Sequence, residues 1–138
     1  VFTIFALLKD ATGGLTPEGL AALVKERFFD VGSYTVTLEK LHWPAFTNVV
    51  LRQADGWGMW FQIRQEDGRS IDPPTLGAFL RRTTTLPEGF DDYDTELVLH
   101  FDDDEEREHT DDIIFLTEFV NEQFPGVVLY NADAQDIF

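Results

Sequence analysis

The chain has 138 residues, 43% of them hydrophobic and 14% aromatic, with 13 phenylalanines, which is the size of one domain with enough apolar mass for a core and excludes disorder of the whole chain. The absence of cysteine rules out a disulfide framework, thiolate-held zinc and a thiol nucleophile. The formal net charge of -16, from 26 Asp and Glu against 10 Lys and Arg, argues against nucleic acid and anionic lipid as partners and favours basic ones.

Residues 2–8 are apolar on both sides and read as a buried strand. No basic region precedes them and Lys9-Asp10 follows, so they are read neither as a signal peptide nor as a membrane span, which needs ~20 apolar residues. Ala11-Thr12-Gly13-Gly14 breaks the strand. Thr16-Pro17-Glu18 then starts a helix, with Thr as N-cap, Pro at the first turn and an acid at the positive end of the dipole. Leu20, Leu23, Val24 and Phe28 form its apolar stripe.

Residues 34–40 alternate, with Tyr34, Val36 and Leu38 on one side and Thr35, Thr37 and Glu39 on the other, the pattern of a half-buried strand. Residues 47–53 and 58–64 form a further pair joined at Ala54-Asp55-Gly56-Trp57. On the second of these, Met59, Phe61 and Ile63 oppose Trp60, Gln62 and Arg64. Residues 66–69 turn, and Asp72-Pro73-Pro74 opens a short helix carrying Leu76, Phe79 and Leu80. Residues 83–94 read as loop. Residues 95–101 are a strand with Leu97, Leu99 and Phe101 opposite Glu96, Val98 and His100. The charge run 102–108 reads as a loop. Thr110-Asp111-Asp112 caps the last helix, whose stripe is Ile113, Leu116, Phe119, Val120 and Phe124. Pro125-Gly126 stops it, and residues 127–130 are a final strand. The order β-α-β-β-β-α-β-α-β predicts a single α+β domain over 1–138, a mostly antiparallel sheet with about three helices, packed on one face.

Catalytic signatures are missing. The histidines are His42, His100 and His109, the only serines are Ser33 and Ser70, and there is no nucleophile elbow. Gly13-Gly14 stands between strand and helix, where a phosphate loop would lie, without the rest of such a fingerprint. Asp102, Asp104 and Glu106, flanked by His100 and His109, present alternate oxygen ligands, but the run has neither the glycine nor the closing Glu of an EF-hand loop. No catalytic residue, cofactor or dedicated metal site is therefore assigned.

The strongest functional signal is the distribution of charge. Between Glu88 and Asp112 stand thirteen of the 26 acids and one basic residue, Arg107, a clustering that uniform solubilising charge does not produce. Asp91, Asp92, Asp94 and the run Asp102, Asp103, Asp104, Glu105 and Glu106 are the candidate partner-binding residues. Tyr93 is a candidate aromatic anchor among these acids, and the hairpin offers a second candidate in Trp57, in its turn, and Trp60, on the expected polar face of its second strand.

In its small size, lack of cysteine, acidic run Asp102–Glu108 and lack of a catalytic motif, the chain resembles an immunity protein of a bacterial toxin system. That resemblance is one of general type and spans the whole chain. It implies a cytoplasmic, non-catalytic protein that occludes the active or substrate-binding cleft of one cognate toxin with a basic surface. The other readings are a nucleic-acid mimic, an adaptor with a solubilising surface, and an enzyme with an unmarked metal site.

Overall fold

The computed structural model describes residues 2–10, 15–28, 34–42, 45–65 and 68–137. The expected break at 11–14, with Gly13-Gly14, as well as Ser33 and the Phe28 side chain, lies outside the described parts, as do positions 66 and 67 of the 66–69 turn. Seven strands form one antiparallel sheet: β1 (Phe2–Leu8), β2 (Thr35–His42), β3 (Ala45–Arg52), β4 (Gly58–Gln65), β5 (Thr95–Phe101), β6 (Val128–Asn131) and β7 (Asp136–Ile137), in the spatial order β2-β3-β4-β5-β1-β6-β7. Three helices interrupt them: α1 (Pro17–Phe28), α2 (Pro73–Leu80) and α3 (Thr110–Gln123). The α+β class and the element order expected from the sequence are those found, with the two-residue β7 and one 3-10 turn at Phe90–Asp92 added.

Local chemistry places the elements. Thr16 Oγ1 accepts the N–H of Gly19 at 3.0 Å, which caps α1. Asp72 does the same for α2, accepting the N–H of Thr75 at 3.2 Å ahead of Pro73 and Pro74. At the β3–β4 hairpin, Gln53 N–H donates to Trp57 O at 2.8 Å and Gly56 takes φ +93, a conformation open to glycine at no steric cost. The start of α3 differs from expectation. Its N-cap is His109, whose side chain makes no capping hydrogen bond; Thr110 Oγ1 donates back to Arg107 O instead.

The main core fills one face of the sheet. Ile4, Ala6 and Leu8 of β1, Val49 and Leu51 of β3, Met59 and Phe61 of β4, and Leu97, Leu99 and Phe101 of β5 meet Leu20, Ala21 and Val24 of α1 and Leu116, Phe119 and Val120 of α3. Helices do not share one face, however. A second cluster of Leu7, Phe90, Tyr93 and Val128, with Leu76 of α2 packed against it, covers the opposite face near β1 and β6. That cover explains why the expected polar side of β5 is buried: Val98 is 1% exposed and Glu96 fully enclosed. The Glu96 carboxylate is not stranded. It accepts the N–H groups of Ser70 and Ile71 at 3.0–3.2 Å and lies 3.8 Å from Arg64 Nη1, so it ties the 68–71 segment to the middle of the sheet.

Over β2, β3 and β4 the second face carries no described helix. Thr37, Val50, Trp60, His100 and Thr3 form one row across it. β2 closes this end as an edge strand and is exposed along nearly its whole length, with Leu38 38% and Leu41 37% exposed.

Candidate functional site

The acids that crowd together in sequence separate in space. Asp91, Asp92 and Asp94 precede β5 and Asp102–Glu106 follow it, so the seven residues of the strand hold the groups roughly 20 Å apart along its axis. The first group has cations beside it. Asp91 pairs with Arg81 at 2.8 Å and Asp94 with Lys9 at 3.4 Å, and Lys9 also donates to the carbonyl of Asp92. Partial burial opposes ionisation of Asp94, but the N–H of Asp10, the Thr95 hydroxyl and Lys9 together hold its carboxyl below the usual range.

The second group joins a residue that the sequence reading passed over. The β3–β4 hairpin brings Asp55 to the start of α3, where its carboxylate lies 2.8 Å from His109 Nε2. The other ring nitrogen, Nδ1, is 2.8 Å from Asp112 Oδ2. Asp112 also accepts from the Tyr34 hydroxyl and from Gln53 Nε2, the latter at 2.7 Å. The Trp57 indole stacks on the imidazole with centroids 4.3 Å apart and planes within 5°. Partial burial works against the charged imidazole, yet the hydrogen bond to Asp112 and the charge of Asp55 outweigh it and raise the His109 pKa above its ordinary value. The N–H of Trp57, donating at 2.9 Å, and then the His109 charge lower that of Asp55. Burial and the contact with Asp112 push the Tyr34 phenol far above its normal range, so it stays a donor.

The loop after β5 is organised from within. Asp102 Oδ2 accepts the N–H of Gly58 at 2.9 Å, and its carbonyl accepts from the Trp57 indole at 3.3 Å. Asp104 accepts the N–H groups of Glu108 and His109 at 2.9 and 3.0 Å, which meets donors at the mouth of α3 that the cap leaves open. Arg107 completes the turn at φ +56. Two carboxylates of the run are thus turned inward, while Asp103, Glu105, Glu106 and Glu108 are exposed. Asp55, Glu105, Glu106, Glu108 and His109 rim a shallow bowl of about 470 Å³ over Trp57.

Two of the three candidate aromatic anchors are nearly enclosed. Trp57 and Tyr93 are each 8% exposed. Trp57 is fixed between His109 and Phe101, and Tyr93 packs edge-on against Phe90 and donates to Gly126 O. Both rings support the fold, because the hairpin and the 3-10 turn fold back over the sheet. Trp60 lies half-buried on the open second face, stacked on His100 at 5.2 Å, and shares a cavity with Asp102 at the start of the acidic loop.

Chemically, the His109 imidazole is saturated: both ring nitrogens face carboxylates, and Ser70 is engaged with Arg64 and Glu96 at the other end of β5. One atom each of Asp55, Glu108 and His109 lie within 4.8 Å of one another, and these three could hold a divalent cation. They differ from the alternate carboxylates Asp102, Asp104 and Glu106, of which the first two are committed to backbone N–H groups. Among the described residues no helix is long and apolar enough to cross a membrane. No protein-family model matches the chain, and neither a curated protein nor a solved structure matches it.

Proposed function

We propose that this chain is a non-catalytic acidic binding protein of the toxin-immunity type, acting in the cytoplasm by seating its acidic end in the basic active or substrate-binding cleft of one cognate toxin. The observation that carries this reading is the pre-ordering of the loop. Asp102 and Asp104 are spent internally on holding the 102–109 segment to β4 and α3, and that leaves Asp103, Glu105, Glu106 and Glu108 displayed on a fixed frame. A charged surface ordered before encounter loses little entropy on binding, and its field accelerates capture of a basic partner. The doubly paired His109 supports a structural rather than a proton-transfer role, since a general base needs a free nitrogen facing its substrate.

The test compares the tagged chain with a variant carrying Glu105→Gln, Glu106→Gln and Glu108→Gln. Each is used to capture proteins from lysate of the source cells at low and moderate salt, and retained proteins are assayed for toxicity with and without the chain. One basic protein, held stoichiometrically through moderate salt, lost by the variant and inhibited by the parent, is the expected result. Many basic proteins that wash off together, or equal retention by the variant, refutes the reading.

A further inference from the structure

The open second face of the sheet carries a feature that the acidic end does not explain. A cavity of about 380 Å³ lies over β2, β3 and β4, lined among others by Glu39, Asn48, Arg52, Trp60, Gln62 and Asp102. That volume is within the range of small-ligand sites, ~300–1,000 Å³. Asn48 is 5% exposed, yet its side-chain carbonyl oxygen meets no donor among the described residues. A second buried polar atom without a partner, His100 Nε2, belongs to the same face. The two stand on β3 and β5, the strands on either side of β4, which carries Trp60 between them. Buried polar atoms without partners cost stability and call for an explanation, and here Asn48 lines the cavity while the His100 ring stacks on Trp60, which lines it too.

We propose that this face binds a neutral saccharide, with Trp60 as its stacking platform and Asn48 as its central hydrogen-bond acceptor. The lining offers donors in Arg52 and Gln62 and acceptors in Asn48, Glu39 and Asp102. Hydroxyl groups answer both kinds because each donates and accepts. A pyranose ring also presents an apolar C–H face, which suits an indole braced from one side by the His100 imidazole at 5.2 Å. The net charge of -16 repels phosphorylated or otherwise anionic ligands. Arg52 among the carboxylates makes the lining unlike a site for a cation. Asp102 borders both this cavity and the bowl over Trp57, but none of the exposed acids Asp103, Glu105, Glu106 and Glu108 lines the cavity, so different residues test the two readings.

The test is a titration of the isotope-labelled protein with neutral trisaccharides of glucose, mannose and N-acetylglucosamine at millimolar concentration. The Trp60 indole and Asn48 amide resonances are followed. Saturable shifts with at least one sugar are expected, weakened about tenfold by Trp60→Ala and abolished by Asn48→Leu, which keeps the side-chain size. Trp60→Phe, which keeps a ring in place, retains part of the binding and controls for folding. Three results overturn the proposal: no shift with any sugar, shifts that persist unchanged in Trp60→Ala, or a response only to a cationic probe such as arginine ethyl ester.

Discussion

Replacing His109 by glutamine removes the one charge that both Asp55 and Asp112 face. The variant keeps a polar side chain but no imidazolium. Tyr34 and Gln53 continue to donate to Asp112, so that carboxylate is not left orphaned and the ~3–5 kcal/mol cost of stranding a buried ion does not apply. What is lost is one charge-assisted hydrogen bond in a site where His109 is 12% and Asp112 15% exposed, together with the Trp57 stack. Hydrogen bonds to charged groups contribute ~1.5–3 kcal/mol, and the residual donors reduce the net loss to about 1–2 kcal/mol, or about 5 °C in Tm for a domain of this size. The exposed pair with Asp55 adds little. The sign with pH follows from the raised pKa of His109. Its stabilisation is complete below the unfolded-state value near ~6.5 and fades as pH rises through the higher folded-state value. Urea unfolding of both proteins at pH 6 and pH 8.5 reads this directly, and the difference between them removes whatever the two proteins share. The gap should be widest at pH 6 and narrow at pH 8.5. An equal gap at both pH values, or none at pH 6, refutes the argument that the imidazolium ties the hairpin to α3.

Three other outcomes are expected. Glu96→Ala should cost ~2–5 kcal/mol by stripping the N–H groups of Ser70 and Ile71 of their acceptor, Arg64 keeping Ser70 and Gln62, while Glu96→Gln should cost less; denaturant midpoints compare them. Phe61→Ala, in a side chain with no exposure that packs edge-on against Phe119, should lose ~3–5 kcal/mol by the same measurement. Gly89→Ala tests backbone conformation alone. Its φ is +80 and nothing lies within 4 Å of an added Cβ, so the ~1–2 kcal/mol left-handed penalty should appear in thermal unfolding with no change in the near-UV spectrum.

Periodicity located the elements because each helix and most strands bury one stripe. The α3 pattern Leu116, Phe119 and Val120 is buried as expected, whereas Ile114 and Phe115, off that stripe, are 44% and 41% exposed. It misjudged β5, whose two faces are covered by different layers, a condition set by where α2 lands rather than by anything within residues 95–101. The acidic surface was legible as composition and illegible as geometry. The strand at 95–101 that divides the thirteen acids was marked by its alternation, but nothing in the sequence says that Asp55, more than fifty residues earlier, meets His109. Asp55 did carry one signal, its place in a hairpin tip between two well-marked strands. The roles of Asp102 and Asp104 as acceptors for backbone N–H groups depend on how the loop turns back, which charge alone cannot encode.

The position of β1 has a consequence for how the chain comes together. Residues 2–8 lie inside the sheet, paired with residues 95–101 on one side and with 128–130 on the other. Local hairpins between β2, β3 and β4 can form early, but β1 has no neighbour until residues 95–101 have been made, and its second edge waits for residues 128–130. Closing loops of that length is slow. Until then an apolar strand waits with both its edges unpaired. Folding therefore waits on these long-range pairings, and the net charge of -16 works against association of half-built molecules in the meantime.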